Sequence, residues 1–97
     1  MTTNSTLYAL VAEQRYQRRA KKFLRQHPDL RSAYDQLLAD LVVDPFAPAL
    51  KLHPLSGRLK GIWAVSPTYS YRITLTLLVS EKEIRLLDIG DHDEMYR

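Results

Sequence analysis

Apolar residues in the first half of the chain recur at the spacing of helices. Thr6–Val11 is a short β-prone run, and we predict a first strand there. Beyond it, aromatic and aliphatic residues fall on one face of a helix, namely Tyr16, Ala20, Phe23, Leu24 and His27. Pro28 is expected to end this first helix, because a residue before proline is disfavoured in helical conformation.

A second helix is predicted directly afterwards. Pro28 suits a first helical turn, and the carboxylate of Asp29 complements the positive end of the helix dipole. The apolar stripe of this helix consists of Leu30, Ala33, Tyr34, Leu37, Leu38 and Leu41. Asp44-Pro45 ends it. Two amphipathic helices with so short a joint are expected to form a near-antiparallel hairpin.

The second half of the chain has the pattern of β-strands. Phe46–Gly57 is expected to be an irregular loop that ends in a turn. Three β-prone runs follow it, Leu59–Val65, Tyr69–Val79 and Ile84–Ile89. Ser66–Thr68 and Ser80–Glu83 separate the runs at hairpin-like lengths. We therefore predict a single α+β domain over residues 1–97, in which an N-terminal strand and a helical hairpin precede an antiparallel β-meander.

Composition limits the classes of protein that this chain can represent. It has 97 residues, about one domain, and a formal net charge of +3. It has no cysteine, so disulfides and thiolate metal sites are excluded. No apolar run approaches the roughly 18 residues of a membrane helix, and the N-terminus lacks the layout of a signal peptide. We expect a cytoplasmic protein that does not associate with membranes.

Charged residues are arranged in blocks of alternating sign. Residues 1–27 carry a cluster of arginines and lysines against the single acid Glu13. Residues 45–80 contain no acid, and their cations are Lys51, Arg58, Lys60 and Arg72. Acidic residues dominate 28–44 and 81–94. This arrangement predicts a polarised surface with at least one face that attracts anions.

The candidate chemistry is concentrated in the β-meander and in the segment after its last strand. Arg72 is placed on the polar side of the central strand, together with Tyr71. If the strands form a meander, Arg58 or Lys60, Arg72, and the tail residues His92 and Tyr96 are expected to lie near one another. Fixed cations can hold a phosphate and stabilise charge in a transition state. A histidine can move protons at neutral pH, and an aromatic ring can stack on an unpaired base.

Several motifs, in this order and spacing, resemble the RelE/ParE superfamily of bacterial toxins and in detail its YafQ-like mRNA interferase branch. They are Asp44–Phe46, His53–Gly57, Lys60–Trp63, Tyr71-Arg72 and Leu87–Tyr96. The resemblance covers the chain from about Arg15 to Tyr96. It implies a ribosome-dependent endoribonuclease that needs no cofactor and cuts mRNA in the ribosomal A site through attack by the ribose 2′-hydroxyl. It also implies a cognate antitoxin and a toxin–antitoxin hetero-oligomer.

The resemblance assigns four catalytic positions. His92 matches the C-terminal histidine that acts as general acid or base, and Tyr96 matches the aromatic residue that orients or stacks on the substrate. His53 matches an upstream histidine near the phosphate. Arg72 matches the arginine that stabilises the transition state in RelE-like members.

Four further residues are expected to contact RNA or its phosphates, namely Lys60, Arg58, Lys51 and Tyr71. The chain departs from the resemblance at Ser66, where many relatives have arginine or histidine, and at Ser70, where they have aspartate. These two departures remove a phosphate contact and a proton carrier. They leave open a non-catalytic or gyrase-directed, ParE-like protein that acts by binding.

A metal-dependent nuclease is a third interpretation of the same residues. Its ligands would be His53, His92 and Asp91 or Asp93. The spacing of these residues does not suit a compact, helix-borne ligand set, and catalytic metal sites are usually grouped more tightly. The basic outer face of the first helix is a further candidate feature, formed by Arg15, Arg18, Arg19, Lys22 and Arg25.

Overall fold

A computed structural model describes residues 7–68 and 71–91 of the chain. Its helices and main strands are, in chain order, β1 (Ala9–Ala12), α1 (Gln14–Gln26), α2 (Arg31–Val43), β2 (His53–Pro54), β3 (Trp63–Thr68), β4 (Tyr71–Leu78) and β5 (Glu83–Gly90). A strand, two helices and a meander thus follow one another as predicted. The α+β prediction is confirmed.

The strands form one mixed, five-stranded sheet in the order β1-β5-β4-β3-β2. β1 lies parallel to β5, with Ala9 opposite Glu83. The other neighbours are antiparallel, as short connections between successive strands require. This order places β4, which carries Arg72, at the centre of the sheet.

The predicted apolar stripes of both helices form the core with one face of the sheet, except for Ala33, which is exposed. On β4, Tyr71, Ile73 and Leu75 are almost fully buried, and the ring of Tyr71 lies 5.5 Å from that of Phe23 on α1. The buried residues of the two helices are Tyr16, Ala20, Phe23, Tyr34, Leu37 and Leu41. The helices therefore cover the face of β4 that bears its odd-numbered residues.

Both predicted boundaries of β3 were wrong. β3 begins at Trp63, not Leu59, because Gly57–Leu59 form a 3₁₀ turn. It also runs through Ser66–Thr68, which the sequence pattern assigned to a turn. The β3–β4 register shifts between Val65 and Thr68, so a proline lies where the ladder is irregular and a missing N–H costs little.

The fifth strand, β2, was not predicted. It consists of His53 and Pro54 only, paired with Ala64 and Trp63 at the edge of the sheet. An edge strand tolerates proline because one side of it needs no ladder hydrogen bonds. So short a strand gives no periodic signal in the sequence, although it positions one of the predicted site residues.

Two buried tyrosines link the helices. The hydroxyls of Tyr16 and Tyr34 lie 2.8 Å apart and form a hydrogen bond within the core. Burial raises the pKa of both phenols above that of free tyrosine. Both hydroxyls therefore stay neutral in the folded chain, and each satisfies the other where water has little access.

Replacing Tyr34 by phenylalanine is expected to destabilise the fold by about 1–3 kcal/mol, because it leaves the Tyr16 hydroxyl buried without its partner. Adding Tyr16→Phe should recover part of that loss, since both polar groups are then gone. Urea unfolding at pH 7 measures both changes. A double variant that is less stable than Tyr34→Phe alone would contradict the pairing.

Candidate functional site

The helices cover one face of the sheet, and the opposite face is called the open face below, although Ala64 and Thr74 on it are buried. Tyr71, Ile73 and Leu75 of β4 face the helices. Because side chains alternate along a strand, Arg72 and Thr74 face the opposite side. Arg72 is half-buried there. The prediction that Arg72 lies on the polar side of the central strand is thus confirmed.

The register brings His53 onto the same open face. His53 lies opposite Ala64 on β3, and Ala64 lies opposite Thr74 on β4. Directly opposite residues of antiparallel strands share a face, so His53 and Thr74 belong to one cross-strand row. Two strand spacings, about 10 Å, separate their backbones. Arg72 is the next residue of β4 on this face.

The imidazole of His53 is held by a hydrogen bond. Its Nδ1 lies 2.8 Å from the backbone carbonyl oxygen of Lys51, which can only accept, so Nδ1 donates. In the neutral ring, Nε2 then carries the lone pair. His53 is therefore oriented and poised to accept a proton or a hydrogen bond at Nε2.

The surroundings of Arg72 combine small residues with an irregular ladder. Its partner on β5 is Gly90. On the β3 side, the register shift between Val65 and Thr68 places Ser66 near Arg72, and the Ser66 Oγ is buried without a hydrogen-bond partner. Serine is uncharged, and Arg72 is the only charged residue in the described strands β3 and β4. Asp91 follows Gly90 as the last described residue.

Lys51 precedes β2 in the chain, whereas Arg58 and Lys60 follow it. The 3₁₀ turn Pro48–Leu50, directly before Lys51, contacts β3. Since β2 is antiparallel to β3, the chain before His53 lies towards the Ser66 end of β3. This is the end of the sheet that also carries Arg72.

Arg58 and Lys60 are exposed in the loop between β2 and β3. Two left-handed glycines, Gly57 at φ 65° and Gly61 at φ 93°, shape this loop. The loop joins β3 at Trp63, whose partner Leu75 lies three residues, or about 10 Å, along β4 from Arg72. The register therefore brings Lys51 and His53 to the end that carries Arg72, and it does not bring Arg58 and Lys60 there.

Tyr71 was placed wrongly on the polar side of the central strand. It is 1% exposed, packs on Phe23, and its hydroxyl has no hydrogen-bond partner. A side chain in the core offers no surface to RNA, so Tyr71 is not part of the proposed site. Burial, and to a lesser extent the neighbouring Tyr34, raises the pKa of Tyr71 to about 12.

Replacing Tyr71 by phenylalanine is expected to leave stability at pH 7 unchanged or slightly increased, because the lost hydroxyl has no partner. Because folding raises the pKa of the Tyr71 phenol, its contribution to the free energy of unfolding is complete below pH 10 and is lost as the pH rises from 10 towards 12. Urea unfolding across pH 9–12 should therefore show a shallower alkaline loss for the variant. Parallel pH profiles would contradict this assignment.

Asp88 on β5 links the sheet to α1. It accepts a hydrogen bond from the Nε of Arg19 on α1 and a second, at 2.9 Å, from the Ile89 backbone N–H. The β4–β5 register shifts next to Asp88, where Leu87 is an extra residue. A bulge of this kind re-aims side chains, which accounts for the reach of Asp88 towards α1.

The other predicted site residues, His92 and Tyr96, lie outside the described residues, as does Ser70, at which the chain departs from the resemblance. The same holds for Asp93, a ligand in the metal-dependent interpretation. Among residues 7–68 and 71–91, no three His, Cys, Asp or Glu side chains lie together as a metal site would need. In the same ranges, neither helix has the length and apolar character needed to cross a membrane.

Comparison with known proteins places the architecture in one class. No protein-family model matches the sequence, and no curated protein matches it either. Solved structures do match, and they show that the chain has the RelE/ParE-type toxin fold.

Two toxin–antitoxin complexes illustrate the structural match. In the DinJ–YafQ complex of E. coli, the matching chain is 19% identical with a TM-score of 0.74, and the match covers 94% of this chain and 99% of that one. In the RelBE2 complex of Mycobacterium tuberculosis, the matching chain is 17% identical with a TM-score of 0.71, and the match covers 89% of this chain and 99% of that one. The copper-bound L66S mutant toxin from Helicobacter pylori is 23% identical with a TM-score of 0.67, over 93% of this chain and 99% of that one. At these identities the likeness concerns the fold.

Proposed function

We propose that this chain is the toxin of a type II toxin–antitoxin system and that it is a metal-independent endoribonuclease, which cleaves mRNA in the ribosomal A site. The observation that carries the proposal is the shared open face of His53 and Arg72. That face belongs to a fold otherwise seen in the YafQ and RelE-type toxins. The sequence motifs that continue into His92 and Tyr96 support the same assignment.

The proposed reaction needs two proton transfers and one charge stabiliser. The ribose 2′-hydroxyl attacks the neighbouring phosphorus, loses its proton, and forms a cyclic phosphate. The 5′-oxygen leaves and gains a proton. The free Nε2 of His53 supports its use as the base, and we assign proton donation to His92.

Arg72 is proposed to stabilise the negative charge that accumulates on the phosphate oxygens in the transition state. A guanidinium is suited to this role, because it stays charged and offers parallel donors to two oxygens. Tyr96 is proposed to stack on a base of the substrate. Lys51 lies towards the same end of the sheet and is proposed to attract the RNA backbone. Arg58 and Lys60 would contact the backbone further along the strand.

A cognate antitoxin is the proposed protein partner, in a cytoplasmic hetero-oligomer. The fold supports this, because two of the matching structures are toxin–antitoxin complexes. An antitoxin that covers the cationic open face would block access to Arg72. It would also stabilise a domain of this size by binding only its folded state.

A non-catalytic or gyrase-directed toxin is the second candidate function. The favouring observation is Ser66 near Arg72, where the resemblance expects a basic side chain or a histidine. Its buried Oγ has no partner and carries no charge. A protein that retains the open face without a full set of charged groups could still act by binding.

Controlled induction in bacteria tests the proposed function. We expect growth to stop and cuts to appear within translated mRNA, mapped by primer extension, and both effects to vanish with His92→Ala. Cleavage by the purified protein on ribosomes should persist in EDTA. Normal growth on strong induction would refute the toxin assignment. DNA damage with intact mRNA would favour the gyrase-directed function, and EDTA-sensitive cleavage the metal-dependent one.

A further inference from the structure

Helix α1 carries a cationic surface that the proposed reaction does not use. Its exposed basic residues are Arg15, Arg18, Lys21, Lys22 and Arg25, referred to below as the α1 cations. At 100° per residue these five positions cover an arc of about 120° on the helix. The centre of that arc is opposite the buried stripe formed by Tyr16, Ala20 and Phe23. All five charges therefore face away from the core.

No acid neutralises this surface within residues 7–68 and 71–91. Glu13, which precedes α1, pairs with Arg85 at 2.7 Å, and Asp88 pairs with Arg19, which is not one of the α1 cations. None of the α1 cations forms an ion pair within those residues. Like charges at positions i and i+3 or i+4 destabilise a helix. A group of five such residues therefore suggests a ligand that offsets their repulsion.

The α1 cations and the open face lie on opposite sides of the sheet. α1 packs through Phe23 on Tyr71, while Arg72 points away from α1. An RNA strand that reaches Arg72 cannot at the same point lie along α1. The α1 cations must therefore contact something other than the RNA segment that is cleaved at Arg72.

The chemistry of the helix surface favours a nucleic-acid backbone over a protein. Every exposed residue of α1 is Arg, Lys or Gln, and its apolar residues are buried or half-buried. Protein interfaces need a desolvated core of apolar and aromatic groups, which this surface lacks. Arg, Lys and Gln side chains are the usual partners of phosphate oxygens. From Arg15 to Arg25 the row spans about 15 Å, enough for several phosphates.

We propose that the α1 cations bind the phosphate backbone of a folded, double-helical RNA. The helix docks as a positively charged rod, recognises backbone shape, and reads no sequence. This contact holds the protein on a structured RNA while the open face meets a single-stranded segment. The biological reason for the contact rests on the proposed function, but the binding itself does not.

Fluorescence anisotropy with a labelled RNA hairpin tests the proposal. The α1 variant is Arg18→Gln with Arg25→Gln, and the matched control is Arg31→Gln with Lys82→Gln, which removes the same charge elsewhere. We expect the α1 variant to bind at least tenfold more weakly near 0.15 M salt. Its slope of log K against log salt should fall by about 1–2 relative to wild type. The control should stay within about twofold of wild type.

The outcomes separate this proposal from the proposed function. Equal weakening in both variants, or no salt-dependent binding by the wild type, would overturn the RNA contact even where cleavage is intact. A variant that keeps its hairpin affinity but loses binding to a glutamate-rich peptide would assign the surface to an acidic protein instead. Hairpin binding that depends on the α1 cations supports the proposal whether or not the protein cleaves mRNA.

Discussion

Replacing Arg72 by alanine is expected to slow cleavage of ribosome-bound mRNA by about 10²–10³-fold, the usual cost of removing one preorganised donor from a developing negative charge. Arg72 is half-buried at the centre of the open face, so its guanidinium acts in a medium that screens charge less than water. The rate should be measured in single turnover with saturating protein, which isolates the chemical step from binding. The protein concentration that gives half of the maximal rate on the ribosomal complex should change far less than the rate itself.

Two further variants show whether the effect is specific to Arg72. Arg72→Lys keeps the charge but loses the paired donors, so it should recover only part of the lost rate. Arg85→Ala removes the same charge from β5, where Arg85 lies opposite Thr76 and binds Glu13 and Glu83. That control should cleave at nearly the wild-type rate. Equal losses in Arg72→Ala and Arg85→Ala would contradict a catalytic role for Arg72.

The order of elements could be predicted because it depends on local periodicity. The stripe of Tyr16, Ala20 and Phe23 requires a helix with one buried face, and the alternation along β4 requires a half-covered strand. The parallel pairing of β1 with β5 joins residues more than 70 positions apart, such as Ala9 and Glu83. No local pattern encodes such a contact, since it forms only when two strands that are distant in the chain pair within one sheet.

The candidate site could be predicted in part. Arg72 follows directly from alternation along one strand. The position of His53 depends on β2, a two-residue strand fixed by its pairing with β3 and by the Lys51 carbonyl. Tyr71 was assigned to the wrong face because an aromatic residue beside an arginine was interpreted as part of one functional unit. Adjacent residues of a strand point to opposite faces.

The grouping of Arg58 and Lys60 with Arg72 was inferred from their order in the chain, and the register argues against it. A meander alone does not determine which loop lies above which end of the sheet. The β3–β4 pairing does, because Trp63 lies opposite Leu75 and Val65 opposite Ile73. The placement of charged loops therefore requires the register, which a one-residue change in a turn would alter.

Replacing Ile73 by alanine is expected to destabilise the fold by about 2–5 kcal/mol, because it removes buried apolar groups and leaves a cavity in the core. Ile73 is fully buried on β4, the central strand of the sheet, with Val65 and Ile89 directly opposite it on the two neighbouring strands. Since small domains have only about 5–15 kcal/mol of stability in total, this variant should be close to unfolding. Urea unfolding monitored by Trp63 fluorescence and by circular dichroism measures the change.

Leu78→Ala is the matched control, since Leu78 ends the same strand but is half-exposed, and it should cost only about 0.5 kcal/mol. Equal losses at the two positions would contradict the assignment of Ile73 to the core. Ile73 is also the residue next to Arg72. Its alanine variant should lose activity in proportion to its unfolded fraction and regain it when stabilising osmolyte is added. Arg72→Ala should stay folded and gain nothing from osmolyte, which distinguishes a loss of chemistry from a loss of structure.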